Sequence, residues 1–174
     1  MGHGKLHCLF LYATDYVGLL LKSPDVTLAT LTHYRELLRL NPNDNQGNRY
    51  LLAGCLLALD RDADLTALLN AYGQESTAEW SYTWALVAYR RDGDSVEARS
   101  LLEKATTTTA NSHVASYLLG RKKLPRKPAS YITMGGEDEA QEYVRRYAAA
   151  WANTKGALEW LTARLPPNVK TARR

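Results

Sequence analysis

The stretch ALVAYRRDGDSVEA at residues 85–98 contains the end of one helix, a tight turn and the start of another. Apolar residues recur at helical spacing on both sides of the turn at Asp92, Gly93 and Asp94. Asp94, with Glu97 three residues later, resembles a capping box and predicts that Asp94 caps the second helix. The stretch therefore predicts two helices that pack as a hairpin.

The same pattern occurs three times along the chain. The segments 29–38, 64–72 and 97–105 align with Thr30, Leu65 and Ala98 as equivalent positions, separated by 35 and 33 residues. A fixed period of about 34 residues is typical of helical repeats, whose units bury their apolar faces by stacking on one another. Only residues 131–133 form a plausible extended stretch, and it is short. We therefore predict an all-α fold, a short right-handed α-solenoid of helix hairpins.

Capping residues and prolines predict the other helix boundaries. Pro24 stands at the first helical position behind Ser23, and Pro42 ends that first helix. Thr77 is the expected cap of the helix that leads into the 92–94 turn. The remaining helices are predicted at 47–59, 63–72, 111–119 and 157–165, with one more that begins at Glu137 and buries Ala140, Tyr143, Val144, Tyr147 and Trp151.

Residues 85–98 resemble a tetratricopeptide repeat. They contain the small residue before the turn (Ala85), the aromatic residue four positions later, the turn glycine and the alanine of the return helix (Ala98), and a second alanine, Ala105, follows seven residues further on. Tyr34, Leu37 and Pro42 are similar to the second half of a preceding repeat, and the resemblance covers roughly residues 28–110.

The middle unit departs from that pattern, since Asp60 replaces the usual glycine and Leu65 the usual alanine. Residues 40–49 also resemble tetratricopeptide-like proteins related to the suppressor-of-tumorigenicity family, many of them bacterial. This second resemblance implies no activity for the chain.

The tetratricopeptide resemblance implies that the first helix of each hairpin lines a concave groove that binds an extended peptide. The residues that it places on this face are Asn48, Tyr50, Trp80, Thr83, Val87 and Arg90, with Arg49 as an alternative in register. The competing interpretation is that Trp80 and Trp84, four residues apart, pack the core between repeats. The family's best-known recognition of chaperone tails requires Lys and Asn residues that these positions lack.

A basic stretch at 121–128, RKKLPRKP, interrupts the repeat pattern. Its cations are Arg121, Lys122, Lys123, Arg126 and Lys127, and the aromatic residues Tyr117 and Tyr131 flank it. Cations interleaved with aromatic residues suit an anion-binding site for nucleic acid, because phosphates pair with the cations and bases stack on the rings. The alternative is a solvated loop whose cations pair with Glu137, Asp138 and Glu139.

The charge distribution limits the nucleic-acid hypothesis to this stretch. The formal net charge is +4, but no acidic residue lies between Lys104 and Gly136. Outside that segment the sequence contains 16 basic and 18 acidic residues. A basic footprint over the whole chain is therefore absent.

The sequence contains no motif of catalysis. No Ser-His-Asp arrangement, phosphate-binding glycine loop or zinc-protease helix occurs, so we expect no enzyme activity and no cofactor. His3 and His7 lie beside Cys8, but without a second cluster they do not predict a metal site.

We expect a single helical domain over residues 1–165. It comprises a repeat core at 28–110, a basic loop at 120–136 and capping helices at 137–165, followed by a disordered basic tail at 166–174. The apolar stretch 6–21 is interpreted as a packing helix rather than a signal peptide or membrane anchor. Two cysteines favour a reducing compartment, so we expect a cytoplasmic protein without a membrane partner.

Together these features predict a non-catalytic protein–protein interaction scaffold that binds a peptide or protein in a short groove. The alternative is a nucleic-acid-associated accessory domain that uses residues 121–127.

Overall fold

The computed structural model describes residues 24–107 and 112–165, with side chains from residue 28 onward. These residues form eight helices and no strand, which confirms the all-α prediction for the described part of the chain. The helices are α1 (Pro24–Leu40), α2 (Asn48–Ala58), α3 (Asp62–Ala71), α4 (Ala78–Asp92), α5 (Val96–Thr107), α6 (Ser112–Leu118), α7 (Glu137–Asn153) and α8 (Ala157–Arg164). Within those bounds the predicted helices are all present.

Three predictions lie outside the described residues. They are the packing helix at 6–21, the disordered tail at 166–174 and the rejection of a metal site at His3, His7 and Cys8. The described residues fall into two compact units that divide between Glu75 and Ser76. The single domain over 1–165 stays a prediction.

The first unit contains α1, α2 and α3, which pack in sequence order. Its core is leucine-rich, because each helix turns an apolar stripe toward its neighbour. Asp60, which stands at the glycine position of the repeat, has φ of 52° in the turn between α2 and α3. Aspartate tolerates this left-handed conformation better than most residues, so the turn forms without glycine. The buried core leucines are Leu31, Leu51, Leu52, Leu56, Leu57, Leu65 and Leu69.

The second unit contains α4 to α8. The helices α4 and α5 form the predicted hairpin, α7 packs against both α4 and α6, and α8 packs against α5 and α7. Its core is aromatic: Tyr82 on α4 lies 5.6 Å from Tyr143 on α7 between ring centroids, and Trp151 lies 6.4 Å from Trp160. The predicted buried face of α7 is confirmed, since Ala140, Tyr143, Val144, Tyr147 and Trp151 are all buried.

One predicted cap is confirmed and another is wrong. The Thr77 hydroxyl accepts a hydrogen bond from the Trp80 backbone N–H at 3.3 Å, as expected at the start of α4. At the start of α5, however, Ser95 Oγ accepts from the Ala98 N–H at 3.2 Å. Asp94 is not the cap, because its carboxylate accepts from three other side chains, those of Arg99, Trp160 and Arg164.

Asp94 instead joins the α4–α5 turn to the last helix. Its Oδ1 accepts from Trp160 Nε1 at 2.7 Å, and its two oxygens accept from Arg99 at 2.9 Å each, while Arg164 also donates to Oδ2. The hydrogen bond from Arg99, with those from Trp160 and Arg164, holds the pKa of Asp94 well below its usual range. The turn residue that resembled a cap is therefore the attachment point of α8.

Candidate functional site

The predicted groove residues of the second unit lie on α4, and three of the four are buried. Trp80, Thr83 and Val87 are 2%, 0% and 4% exposed. Arg90 is half-buried, and its Nε donates to the hydroxyl of Thr154 at 2.8 Å. Of these four side chains only Arg90 retains substantial surface for a partner.

The helix α7 packs against α4 and contacts both of its ends. Glu79 at the start of α4 pairs with Arg146 at 3.1 Å and accepts a hydrogen bond from the Tyr147 hydroxyl, both on α7. Arg90, three turns further along α4, contacts Thr154, which caps the end of α7. Thus α7 follows α4 from one end to the other.

The predicted groove residues of the first unit lie at the start of α2. Asn48 is 8% exposed, and its backbone N–H donates to Asp44 Oδ1 at 2.7 Å. Tyr50 is half-buried, and its hydroxyl accepts from Arg49 Nη2 at 3.0 Å. Burial raises the pKa of Tyr50 well above its usual value. Asn48 contributes mainly to the helix start, whereas the Tyr50 ring stays partly accessible.

A charged cluster that sequence reasoning missed surrounds Arg49. Its guanidinium pairs with Asp44 at 2.9 Å and with Glu75 at 2.7 Å, and lies 4.4 Å above the Tyr50 ring and 5.4 Å from the Tyr72 ring. Asp44 has φ of 45°, and its carboxylate also accepts the first N–H groups of α2. In the sequence, the only indication of this cluster was Asp44, an acidic residue placed just before the start of α2. Because the Arg49 guanidinium is already paired with two carboxylates and packed on two rings, this cluster stabilises the unit rather than offering a ligand site.

The basic loop, defined here as residues 120–136, connects α6 to α7. Arg121, Lys123, Arg126 and Lys127 are exposed, and within the described residues none of them forms an ion pair. Lys122 differs, since its Nζ pairs with Glu137 at 2.5 Å and lies 5.8 Å from the Tyr117 ring centre. The hydrogen bond from Lys122 lowers the pKa of the Glu137 carboxyl.

The acidic residues at the start of α7 neutralise only this one cation of the basic loop. Asp138 Oδ2 accepts a hydrogen bond from the Thr133 N–H at 2.7 Å. Glu139 accepts from the Gly135 N–H at 2.8 Å and from the Ala78 N–H at 3.0 Å. The predicted pairing with 137–139 is therefore right for Lys122 and wrong for the other four cations, because backbone donors occupy the remaining carboxylates.

The two aromatic residues that flank the basic stretch 121–128 differ in solvent exposure. Tyr117 is 7% exposed, donates its hydroxyl to Glu137 at 2.8 Å and accepts from Gln141 at 2.8 Å. Tyr131 is 68% exposed. Only Tyr131 presents an open ring face of the kind that stacking on a base requires.

Contacts to the neighbouring helices hold the basic loop in place. The backbone N–H groups of Arg121 and Lys122 donate to the Ser116 carbonyl at 2.9 and 3.1 Å. Arg145 on α7 donates to the carbonyl of Pro125 and, at 3.3 Å, to that of Lys127. Arg145 forms no ion pair among the described residues, so with the four unpaired cations of the loop it makes five.

The described residues contain no group of His, Cys, Asp and Glu side chains suited to a metal ion. None of the described helices has the length and apolar character needed to cross a membrane. Comparison of the chain with family models, with curated proteins and with solved structures gives no match.

Proposed function

We propose that the chain is a non-catalytic scaffold that binds a protein or peptide partner. In this proposal it is a short right-handed α-solenoid of tetratricopeptide-like hairpins, with α7 and α8 as the capping pair. The proposal includes a cytoplasmic location and the absence of enzyme activity.

The observation that carries the proposal is the α4–α5 hairpin. Ala85, Ala98 and Ala105, the small residues of the repeat pattern, are each 0% exposed. Small side chains at these positions let neighbouring helices approach closely. Gly93 ends α4 with φ of 62°, a conformation that residues with a Cβ rarely adopt. The burial of these alanines and the conformation of Gly93 support the interpretation of this hairpin as a repeat unit.

The architecture suits binding because stacked hairpins present an extended surface whose side chains vary without disturbing the core. Affinity on such a surface comes from shape and charge complementarity, so no reactive group is required. The half-buried Arg90 and Tyr50 are the predicted groove residues that retain surface for this purpose.

Affinity capture followed by reconstitution tests the proposal. The full chain serves as bait in an extract of its source cells, and each enriched protein is purified and titrated by calorimetry. We expect at least one protein to bind with defined stoichiometry. Arg90→Ala should weaken that binding severalfold, whereas Arg91→Ala should not. Arg91 is an exposed neighbour on the same helix and serves as the matched control. Failure of every purified candidate to bind would contradict the scaffold function.

A further inference from the structure

We infer that the basic loop and the underlying Arg145 bind an acidic segment of the partner protein that also contains apolar residues. This inference rests on the proposed scaffold function and names the chemistry of the partner. It does not involve the predicted groove on α4.

The first support is charge that the fold leaves uncompensated. Arg121, Lys123, Arg126 and Lys127 are exposed, and Arg145 contacts only carbonyl oxygens of the loop. Among the described residues none of these five forms an ion pair. Charged side chains at the rim of an interface guide association with a partner of opposite charge and set its orientation.

The second support is apolar surface on the same loop. Tyr131 and Met134 are 68% and 64% exposed, and Leu124 is 36% exposed. These are three of the large exposed hydrophobic side chains among the described residues. Leu124 lies between the cations, and Tyr131 and Met134 follow Lys127, the last cation of the loop. A partner that covers the loop must therefore supply apolar side chains together with carboxylates.

The anchors on α7 bring the two parts of the loop to one helix face. Asp138 holds the Thr133 N–H, and Arg145 holds the carbonyls of Pro125 and Lys127. Residues seven apart on a helix share a face and lie about 10 Å from each other along its axis. The same helix therefore holds both parts of the loop backbone: the part with the cations at 126 and 127, and the part with the apolar residues near 131–134.

These anchors also lower the cost of binding. Hydrogen bonds fix the loop backbone at Arg121, Lys122, Lys127 and Thr133, and two prolines at 125 and 128 restrict it further. A loop that is already ordered loses little conformational entropy when a partner docks.

The charge distribution favours an acidic protein segment over nucleic acid. Outside residues 104–136 the chain carries 16 basic and 18 acidic residues, and five of the six cations in that segment belong to the loop. A nucleic acid carries a charge at every phosphate, so a long strand extends beyond a patch of this size. Tyr117 is buried and hydrogen-bonded, which removes one of the two stacking partners that nucleic acid was expected to use.

Fluorescence anisotropy with defined probes tests the inference. The probe is a labelled synthetic peptide of twelve residues that alternates Glu with Leu and Phe, and a second peptide has Gln in place of each Glu. We expect the acidic peptide to bind the full chain, and the Gln peptide to bind at least tenfold more weakly. The variant with Arg121, Lys123, Arg126 and Lys127 all changed to Gln should lose about tenfold or more in affinity, because several rim charges are removed together.

Matched variants separate charge from fold. Lys104→Gln with Lys155→Gln removes exposed cations outside the loop and should leave the affinity unchanged. Tyr131→Ser with Met134→Ser keeps every charge and should weaken binding severalfold. Circular dichroism should give the same helix content for all variants, because the altered side chains are exposed.

Three results would overturn the inference: equal binding of the two peptides, unchanged affinity in the loop variant, or tighter binding to a twenty-nucleotide poly(dT) or to phosphatidylserine vesicles. The scaffold function fails differently, when no purified protein reconstitutes with the chain. A reconstituted partner whose affinity is unaffected by the loop variant would overturn this inference alone.

Discussion

Glu139 on α7 accepts a hydrogen bond at 3.0 Å from the backbone N–H of Ala78, the first residue of α4, across 61 residues of sequence. The other oxygen of the same carboxylate accepts from the Gly135 N–H at 2.8 Å. One buried side chain therefore satisfies a donor at the start of α4 and fixes the end of the basic loop. This contact helps to place α7 along α4, the helix that carries four of the predicted groove residues.

Replacing Glu139 with Ala should lower the free energy of unfolding by about 1–3 kcal/mol, because a buried N–H at the start of α4 loses its acceptor. Urea denaturation followed by circular dichroism measures the change. Glu103→Ala, at an exposed position of α5, is the control and should have little effect. Equal urea midpoints for the two variants would show that the cap contributes nothing.

Replacing Gly156 with Ala should destabilise the start of α8 for two separable reasons. Its φ is +79°, and an added Cβ would lie 2.7 Å from the Tyr89 hydroxyl oxygen. Gly120→Ala, with φ of +65° and open space, carries only the backbone cost of about 1 kcal/mol. Gly156→Ala should lower the free energy of unfolding by more than this, as measured by thermal unfolding. In a Tyr89→Phe background, which lacks the contacting oxygen, the two substitutions should lower it by the same amount. A persistent difference in that background would rule out the steric explanation.

Replacing Arg146 with Met should destabilise the chain by about 3 kcal/mol at neutral pH, because two acidic residues lose their partner. Arg146 pairs with Glu79 at 3.1 Å and with Glu142 at 3.0 Å, and all three side chains are at most 14% exposed. Glu139 and the Tyr147 hydroxyl also interact with Glu79.

The same variant should show a characteristic pH dependence. Burial raises the pKa of Glu79 above its ordinary value even with Arg146 present. A raised pKa in the folded state means that this carboxyl favours folding most below its unfolded pKa, and less as pH rises through the folded pKa. Without Arg146 this loss of stability at high pH should be larger. The difference in the free energy of unfolding between wild type and Arg146→Met should therefore narrow as pH falls from 7 toward 4. Urea titrations across that range measure the gap, and a constant gap would contradict the role of Glu79.

Replacing Trp80 with Ala should reduce stability by about 3–5 kcal/mol, because a large side chain that is 2% exposed leaves a cavity. Its effect on partner binding should follow this loss of structure, whereas Arg90→Ala should weaken binding with little change in the urea midpoint. If Trp80→Ala unfolds at the wild-type urea concentration, the indole is not part of the core and the groove interpretation of Trp80 gains weight.

The secondary structure was predictable because its signals are local. Pro24, Pro42 and Thr77 act within one helical turn, and the apolar spacing of α7 identified every buried residue of its predicted face. Asp94 was misassigned although its sequence context fits a cap. Its carboxylate is used by Trp160 and Arg164, some seventy residues away, and no local pattern announces such partners.

The sequence by itself determined the helices, the hairpin at 85–98 and the location of the basic loop, since periodicity, turn residues and charge runs depend only on nearby residues. Tertiary structure decided which of these features are accessible. It buried Trp80, Thr83 and Val87, paired Lys122 with Glu137 and left Arg121, Lys123, Arg126 and Lys127 exposed. The reason is that burial and ion pairing depend on which distant helices pack against a given face, and that arrangement follows from the tertiary packing rather than from any one helix.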